Sequence, residues 1–124
     1  MQYKMELSEF SFNKIKAGRK VDVRLFDKKR QSLKIGDVIE YENLNNPRER
    51  MVCLVLGTAV FENFSNMVDC LTPQMLGYTN KEEVILRLNR AYSVEQQKDF
   101  NVMAIFLRNI TPPLSLTREA NYER

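Results

Sequence analysis

Lys20, Asp22 and Arg24 alternate with Val21, Val23 and Leu25. At the two-residue period of a strand, the three ionisable side chains share one face and the apolar ones share the other. A row reading positive, negative, positive has a definite chemistry when it lines a recess. Arg24 can bind a phosphate bidentately, Lys20 supplies a point charge, and Asp22 accepts from a base or sugar. A desolvated lysine can also act as a general base, so Lys20 and Asp22 are the catalytic candidates if the chain is an enzyme. On an open wall the same row is only a solvated face, worth ~0–1 kcal/mol per pair.

The row lies inside a strongly basic window. From Lys14 to Lys34 there are nine of the chain's 19 Lys and Arg residues and only two acids, Asp22 and Asp27, a local balance of +7. The rest of the chain holds ten basic and 14 acidic residues, so the net charge of +3 hides a dipolar protein with one patch suited to a polyanion. Lys28, Lys29 and Arg30 extend that patch as phosphate contacts, or form an ordinary solvated loop. The partner class implied by charge is a polyanion.

Absent residue types narrow the chemistry. There is no histidine, which removes Ser-His and Cys-His nucleophile pairs and His-based zinc sites. Two cysteines, Cys53 and Cys70, are too few for a thiolate zinc cage, and Cys53 within Val52-Cys53-Leu54-Val55 reads as a buried structural thiol. None of the four glycines is spaced like a phosphate-cradling loop. No metal site and no cofactor follow from these residues; a divalent metal enters only if the chain is an enzyme that uses one for hydrolysis. The longest apolar run, Met51 to Phe61, is far short of the ~18 residues of a membrane span. No apolar signal block follows Met1, so a cytoplasmic protein that does not enter membranes is expected.

The elements that must position these residues follow from periodicity. Tyr3, Met5 and Leu7 alternate as a half-buried strand. Ser8 caps a short helix to about Ala17, with Gly18 in its left-handed C-terminal position. The Lys20–Phe26 strand comes next, then a polar loop from Asp27 to Ser32 and a turn at Ile35-Gly36-Asp37. Val38 to Glu42 forms a strand with Ile39 and Tyr41 facing in, and Asn43 to Glu49 a hairpin loop. Met51 to Phe61 reads as a central strand, with Gly57 marking a bulge or bend. Asn63 caps a helix carrying Phe64, Met67, Val68 and Leu71. Thr79 or Asn80, with Glu82 or Glu83 three residues on, opens another with Val84, Ile85, Leu88, Ala91 and Tyr92 on one face and Arg87 and Arg90 on the other. Phe100 to Leu107 closes the set, and residues 111–124 form a polar C-terminal tail. Five or six strands with two to four inserted helices predict an α+β chain of 124 residues with one domain over 1–110. Its expected form is a small, mostly antiparallel β-barrel with helices around it.

The stretch from Ile15 to Arg30, with Gly18, Asp22 and Arg24-Leu25-Phe26-Asp27, followed by Ile35-Gly36-Asp37-Val38-Ile39, resembles the signature of ASCH domains, relatives of the PUA domain. Phe61 to Phe64-Ser65, Ala91-Tyr92-Ser93 and Val102 to Leu107 are similar to that family's later segments, so the resemblance runs in order from about residue 3 to 110. It implies a PUA-like pseudobarrel with a basic cleft between barrel and helices, and an RNA- or nucleotide-binding role for Arg19 or Lys20, Asp22, Arg24, Ser65 and Tyr92. It also implies a hydrolytic alternative, because some ASCH proteins are ribonucleases and a related branch hydrolyses N4-acetylcytidine with a Lys-Thr-Glu set. Two differences stand out. Gly18 to Arg24 is one residue shorter than the usual spacing, so either Lys20 or Arg19 takes the family lysine position, with strand period favouring Lys20. Asp22 stands where the amidohydrolase threonine would be, and that branch's glutamate falls near Gly77.

Overall fold

Alternating and helical apolar patterns become ten elements in the computed structural model, which describes residues 2–112. They are β1 (Gln2–Leu7), α1 (Glu9–Lys16), β2 (Val21–Leu25), β3 (Val38–Asn43), β4 (Asn46–Phe61), α2 (Phe64–Leu71), a 3-10 turn (Gln74–Leu76), α3 (Lys81–Ala91), α4 (Val94–Phe100) and β5 (Val102–Asn109). The strands form one sheet in the order β1-β3-β4-β5-β2. Only the β1–β3 pairing is parallel; the other three are antiparallel. The sheet curls into a half-barrel, giving the α+β, barrel-like architecture expected. Residues 113–124, most of the predicted tail, lie outside the described residues; Thr111, where that tail begins, accepts from the Val52 N–H through Oγ1 at 2.8 Å.

Two apolar clusters fill the two faces of the sheet. On the concave face, Met5, Ile39, Tyr41, Cys53, Val55 and Ile105 surround Phe12 and Ile15 of α1, which plugs the barrel. On the other face, Val21, Leu25, Val102 and Ala104 pack against Phe64, Met67, Val68 and Leu71 of α2 and Val84 of α3. Strand β2 is therefore covered on both sides. Its odd residues face the helices and its even residues, Asp22 and Arg24, face the barrel interior, so the predicted charged face is buried rather than solvated.

Most predicted boundaries stand. Ser8 and Asn63 cap α1 and α2 by accepting from Ser11 N and Asn66 N. Asn80 rather than Thr79 caps α3, accepting from Glu83 N at 2.9 Å. Gly18 has φ +128°, the left-handed conformation that ends α1 and turns the chain into β2. The β4–β5 register shifts between Val55 and Gly57, a bulge at the expected place. Two expectations are corrected. The Asn43–Glu49 loop is only a two-residue turn, because Asn43 Oδ1 accepts from Asn45 N at 3.0 Å and β4 begins at Asn46. The last strand begins at Val102, not Phe100, because an unpredicted helix, α4, precedes it. Ser93 and Gln96 cap it reciprocally, yet it has no apolar stripe; its one buried residue is Gln97. Gln97 holds α4 through polar bonds, accepting from Phe64 N at 3.2 Å and donating to Asn89 Oδ1 at 2.9 Å.

Candidate functional site

A half-barrel leaves two strand edges unjoined, and here they are β1 and β2. Arg24 spans the seam. Its Nη2 donates to the Glu6 carbonyl oxygen of β1 at 2.7 Å, and its Nε donates to Asp22 Oδ2 at 2.9 Å. Asp22 Oδ2 also accepts from the Tyr41 hydroxyl at 2.8 Å, across the barrel interior. The pair is almost wholly buried, with side-chain exposures of 10% for Arg24 and 3% for Asp22. This burial is tolerated because each charge meets the other and further hydrogen bonds.

Each acid–base setting follows from that geometry. Burial, the largest influence, lowers the pKa of Arg24, but the Asp22 carboxylate together with Tyr92 and Tyr41 more than offsets it and the net shift is upward. Burial, then the Asp22 charge, pushes Tyr41 well above the ordinary tyrosine value, so its hydroxyl keeps its proton and donates. Cys53, on the same interior face, is pushed up to about 12, chiefly by burial and next by Asp22.

These raised values make a prediction. A tyrosine and a thiol with folded pKa values above their unfolded ones contribute stability that is fully present below the unfolded values, near pH 9–10, and is lost as pH rises toward the folded values. Urea midpoints are expected to hold from pH 7 to about 9 and fall above it, with Cys53→Ala flattening the fall. The native protein should consume one equivalent of a thiol reagent at pH 8, through exposed Cys70, and two once unfolded.

Along the seam lies a cavity of about 320 Å³, walled by Glu6 and Leu7 of β1, Phe10 and Ser11 of α1, Asp22 and Arg24 of β2, and Tyr78, Arg87, Leu88 and Tyr92 from the helical side. Two polar atoms of the buried pair remain without protein partners among the described residues. These are Arg24 Nη1 and Asp22 Oδ1, a donor and an acceptor that belong to two residues lining the cavity. Tyr92 is half-buried against Phe64, ring centroids 5.7 Å apart, and presents its remaining surface to the cavity. Phe10 and Tyr78 stack at 6.1 Å.

The structure separates the candidates that the sequence placed in one row. Asp22, Arg24 and Tyr92 meet at the seam. Lys20 does not join them. It precedes β2, is exposed, and lines a different concavity with Lys14, Arg19, Gln74 and Met75, in which no acidic side chain takes part. The strand period fails for Lys20 because the strand starts at Val21, after the turn at Gly18. Arg19, set aside by that period, is half-buried and nearer the pair. A recess of about 50 Å³ off the seam cavity is lined by Arg19, Asp22, Ser11 and Tyr78. Arg19 Nη1 reaches the Leu76 carbonyl at 3.5 Å, and its Nε is buried without a partner. Burial, first, lowers the pKa of Arg19, with Asp22 opposing.

The remaining candidates are dispersed. Arg30 is tied to Asp27 at 2.6 Å and lines, with Lys29, a mixed-charge depression that shares Arg24 and Glu6 with the seam cavity. Lys28 is exposed in the loop, and Ser65 is exposed in the first turn of α2, outside the cavity. Tyr41 and Arg87 were missed as site residues. Tyr41 was visible only as an inward strand position, and Arg87 only as the polar face of α3. Among the described residues no group of three or more Cys, Asp and Glu is placed to hold a metal ion, and no helix is long and apolar enough to cross a membrane.

Fold and seam define a class: a small curled half-barrel of mixed helices and strands with a polar cavity at its open edge. The crystal structure of hypothetical protein PH0355 superposes with a TM-score of 0.77 at 30% identity, covering 89% of this chain and 100% of that one. The solution structure of protein PF0455 from Pyrococcus furiosus gives 0.70 at 28% identity, covering 90% and 100%. The chain belongs to the family of PH0355. No protein-family model and no curated protein matches it.

Proposed function

We propose that this chain is an ASCH-type domain of the PUA-like class that binds RNA or a nucleotide-like ligand in the seam cavity, as a cytoplasmic protein. The observation that carries the reading is the buried Asp22–Arg24 pair, with one donor and one acceptor left over on residues that line the cavity together with Tyr92. A base edge presents the complementary acceptor and donor, and its π-face can stack on an aromatic ring. The acid-free concavity of Lys14, Arg19 and Lys20 adds phosphate attraction nearby.

The hydrolytic alternative needs a desolvated base or a bound metal. Lys20, its candidate base, is exposed, so binding is the reading favoured. Fluorescence anisotropy with a labelled single-stranded RNA is expected to show log affinity falling linearly with log salt. Lys20→Ala should reduce the slope by about 0.7, the share of one phosphate contact on a single strand. Flat salt dependence, or no binding at low salt, would refute the proposal.

A further inference from the structure

Arg87 projects from the polar face of α3 and is exposed, the setting in which arginine side chains usually sample solvent. Here it does not. Its Cζ lies 3.9 Å from the centre of the Phe10 ring and 6.0 Å from that of Tyr78, which itself stacks on Phe10. Lys14 Nζ, 5.3 Å from the same ring, adds a second cation to the stack. A guanidinium stacked on an aromatic ring is fixed through its face while its rim of N–H donors stays free. No hydrogen bond or ion pair engages that rim among the described residues, and Glu83, four residues back on α3, is held by the Thr79 hydroxyl at 3.3 Å.

Arg87 lines the seam cavity together with Arg24. Of the two acids there, Asp22 is already matched by Arg24 and the Tyr41 hydroxyl. Glu6 stands on the rim shared with the neighbouring depression, beside Lys4, Lys29 and Arg30. Arg87 and Glu6 are thus the charges of the cavity without an ion-pair partner among the described residues; Arg87 is the cation of the two, already ordered by the ring beneath it, and an anion that meets it avoids part of the usual ordering cost. A planar fork of donors matches a phosphate bidentately. The cavity, about 320 Å³, sits at the small end of ligand sites and suits one nucleotide unit.

We propose that Arg87 is a phosphate clamp, so that the cavity takes a phosphate ester, either a mononucleotide or one unit of an RNA strand, in preference to a free nucleoside. The inference rests on the reading of the cavity given above. Its test is calorimetric titration of the wild type, Arg87→Ala and Arg90→Ala with the four ribonucleosides, their 5′- and 3′-monophosphates and a single-stranded RNA heptamer. At least one monophosphate is expected to bind about tenfold or more tighter than its nucleoside, the lower range for a hydrogen bond to a charged group. Arg87→Ala should bring that ratio to within about twofold, and Arg90→Ala should leave it unchanged. Tighter binding of the heptamer than of any monophosphate would assign the phosphate to a strand; the reverse would assign it to a free nucleotide. Equal wild-type affinity for nucleoside and monophosphate, or a ratio that survives Arg87→Ala, overturns the clamp and leaves the cavity reading in place. If no probe binds the wild type at all, the cavity reading falls and the clamp with it.

Discussion

Asp22→Ala is expected to lower the stability of this protein by about 3–5 kcal/mol, the usual cost of leaving one member of a buried ion pair uncompensated. Arg24 would keep its burial and its bond to the Glu6 carbonyl but lose the carboxylate on Nε. The Tyr41 hydroxyl, in a fully buried side chain, would lose its acceptor as well. Both losses fall at the seam, where Arg24 is the link between the two edge strands. Urea denaturation followed by circular dichroism measures the change. Asp69→Ala provides the comparison, because Asp69 is also paired with a cation, Lys81, but at an exposed site, and exposed pairs contribute at most about 1 kcal/mol. Similar losses in the two variants would mean that the seam pair is not sealed from water as the structure has it.

How far the sequence discloses this arrangement depends on which physical signal each part leaves. Strands and helices with an apolar period were legible, because Met5 and Leu7 on β1 or Met67, Val68 and Leu71 on α2 can be buried in only one orientation. Helix α4 was not, since its one buried residue is Gln97, and a single polar anchor leaves no period to read. Pairing Asp22 with Arg24 on one face was legible from spacing. That this face points into the barrel was not, because Val21 and Leu25 on the opposite face are equally apolar-facing, and only the curl of the sheet decides which side is interior. The same curl brings Tyr41, 19 residues away, to Asp22. Lys20 was misplaced for a local reason: the period of a strand cannot be extended back across the turn that precedes it. Arg87 was legible only as a polar-face position of α3, for its stacking depends on Phe10 of a helix 77 residues earlier.

The seam pair links the two edge strands, and the proposed function gives it a recognition role as well; the two can be separated by experiment. Replacing both members by apolar residues of similar size, Asp22→Leu with Arg24→Met, removes the charges together rather than orphaning one. Such replacements of a whole buried pair are commonly neutral or stabilising by about 1–4 kcal/mol. One term here acts against that gain, because the Tyr41 hydroxyl and the Glu6 carbonyl lose their partners. Each unsatisfied buried group costs about 1–3 kcal/mol, so the double variant is expected to come out between the wild type and Asp22→Ala in stability. Adding Tyr41→Phe removes one of those two orphans and should recover part of the difference. Binding should respond differently. If the free Arg24 donor and Asp22 acceptor read a base edge, the folded triple variant is expected to lose at least about tenfold in affinity for single-stranded RNA, since a bidentate base contact is worth about 1–3 kcal/mol. Near-normal stability with that loss of affinity is the combined result that a recognition role requires. A triple variant that folds and binds as the wild type does would show that the pair serves only to close the barrel, and the ligand would then have to be sought at the Lys14, Arg19 and Lys20 concavity.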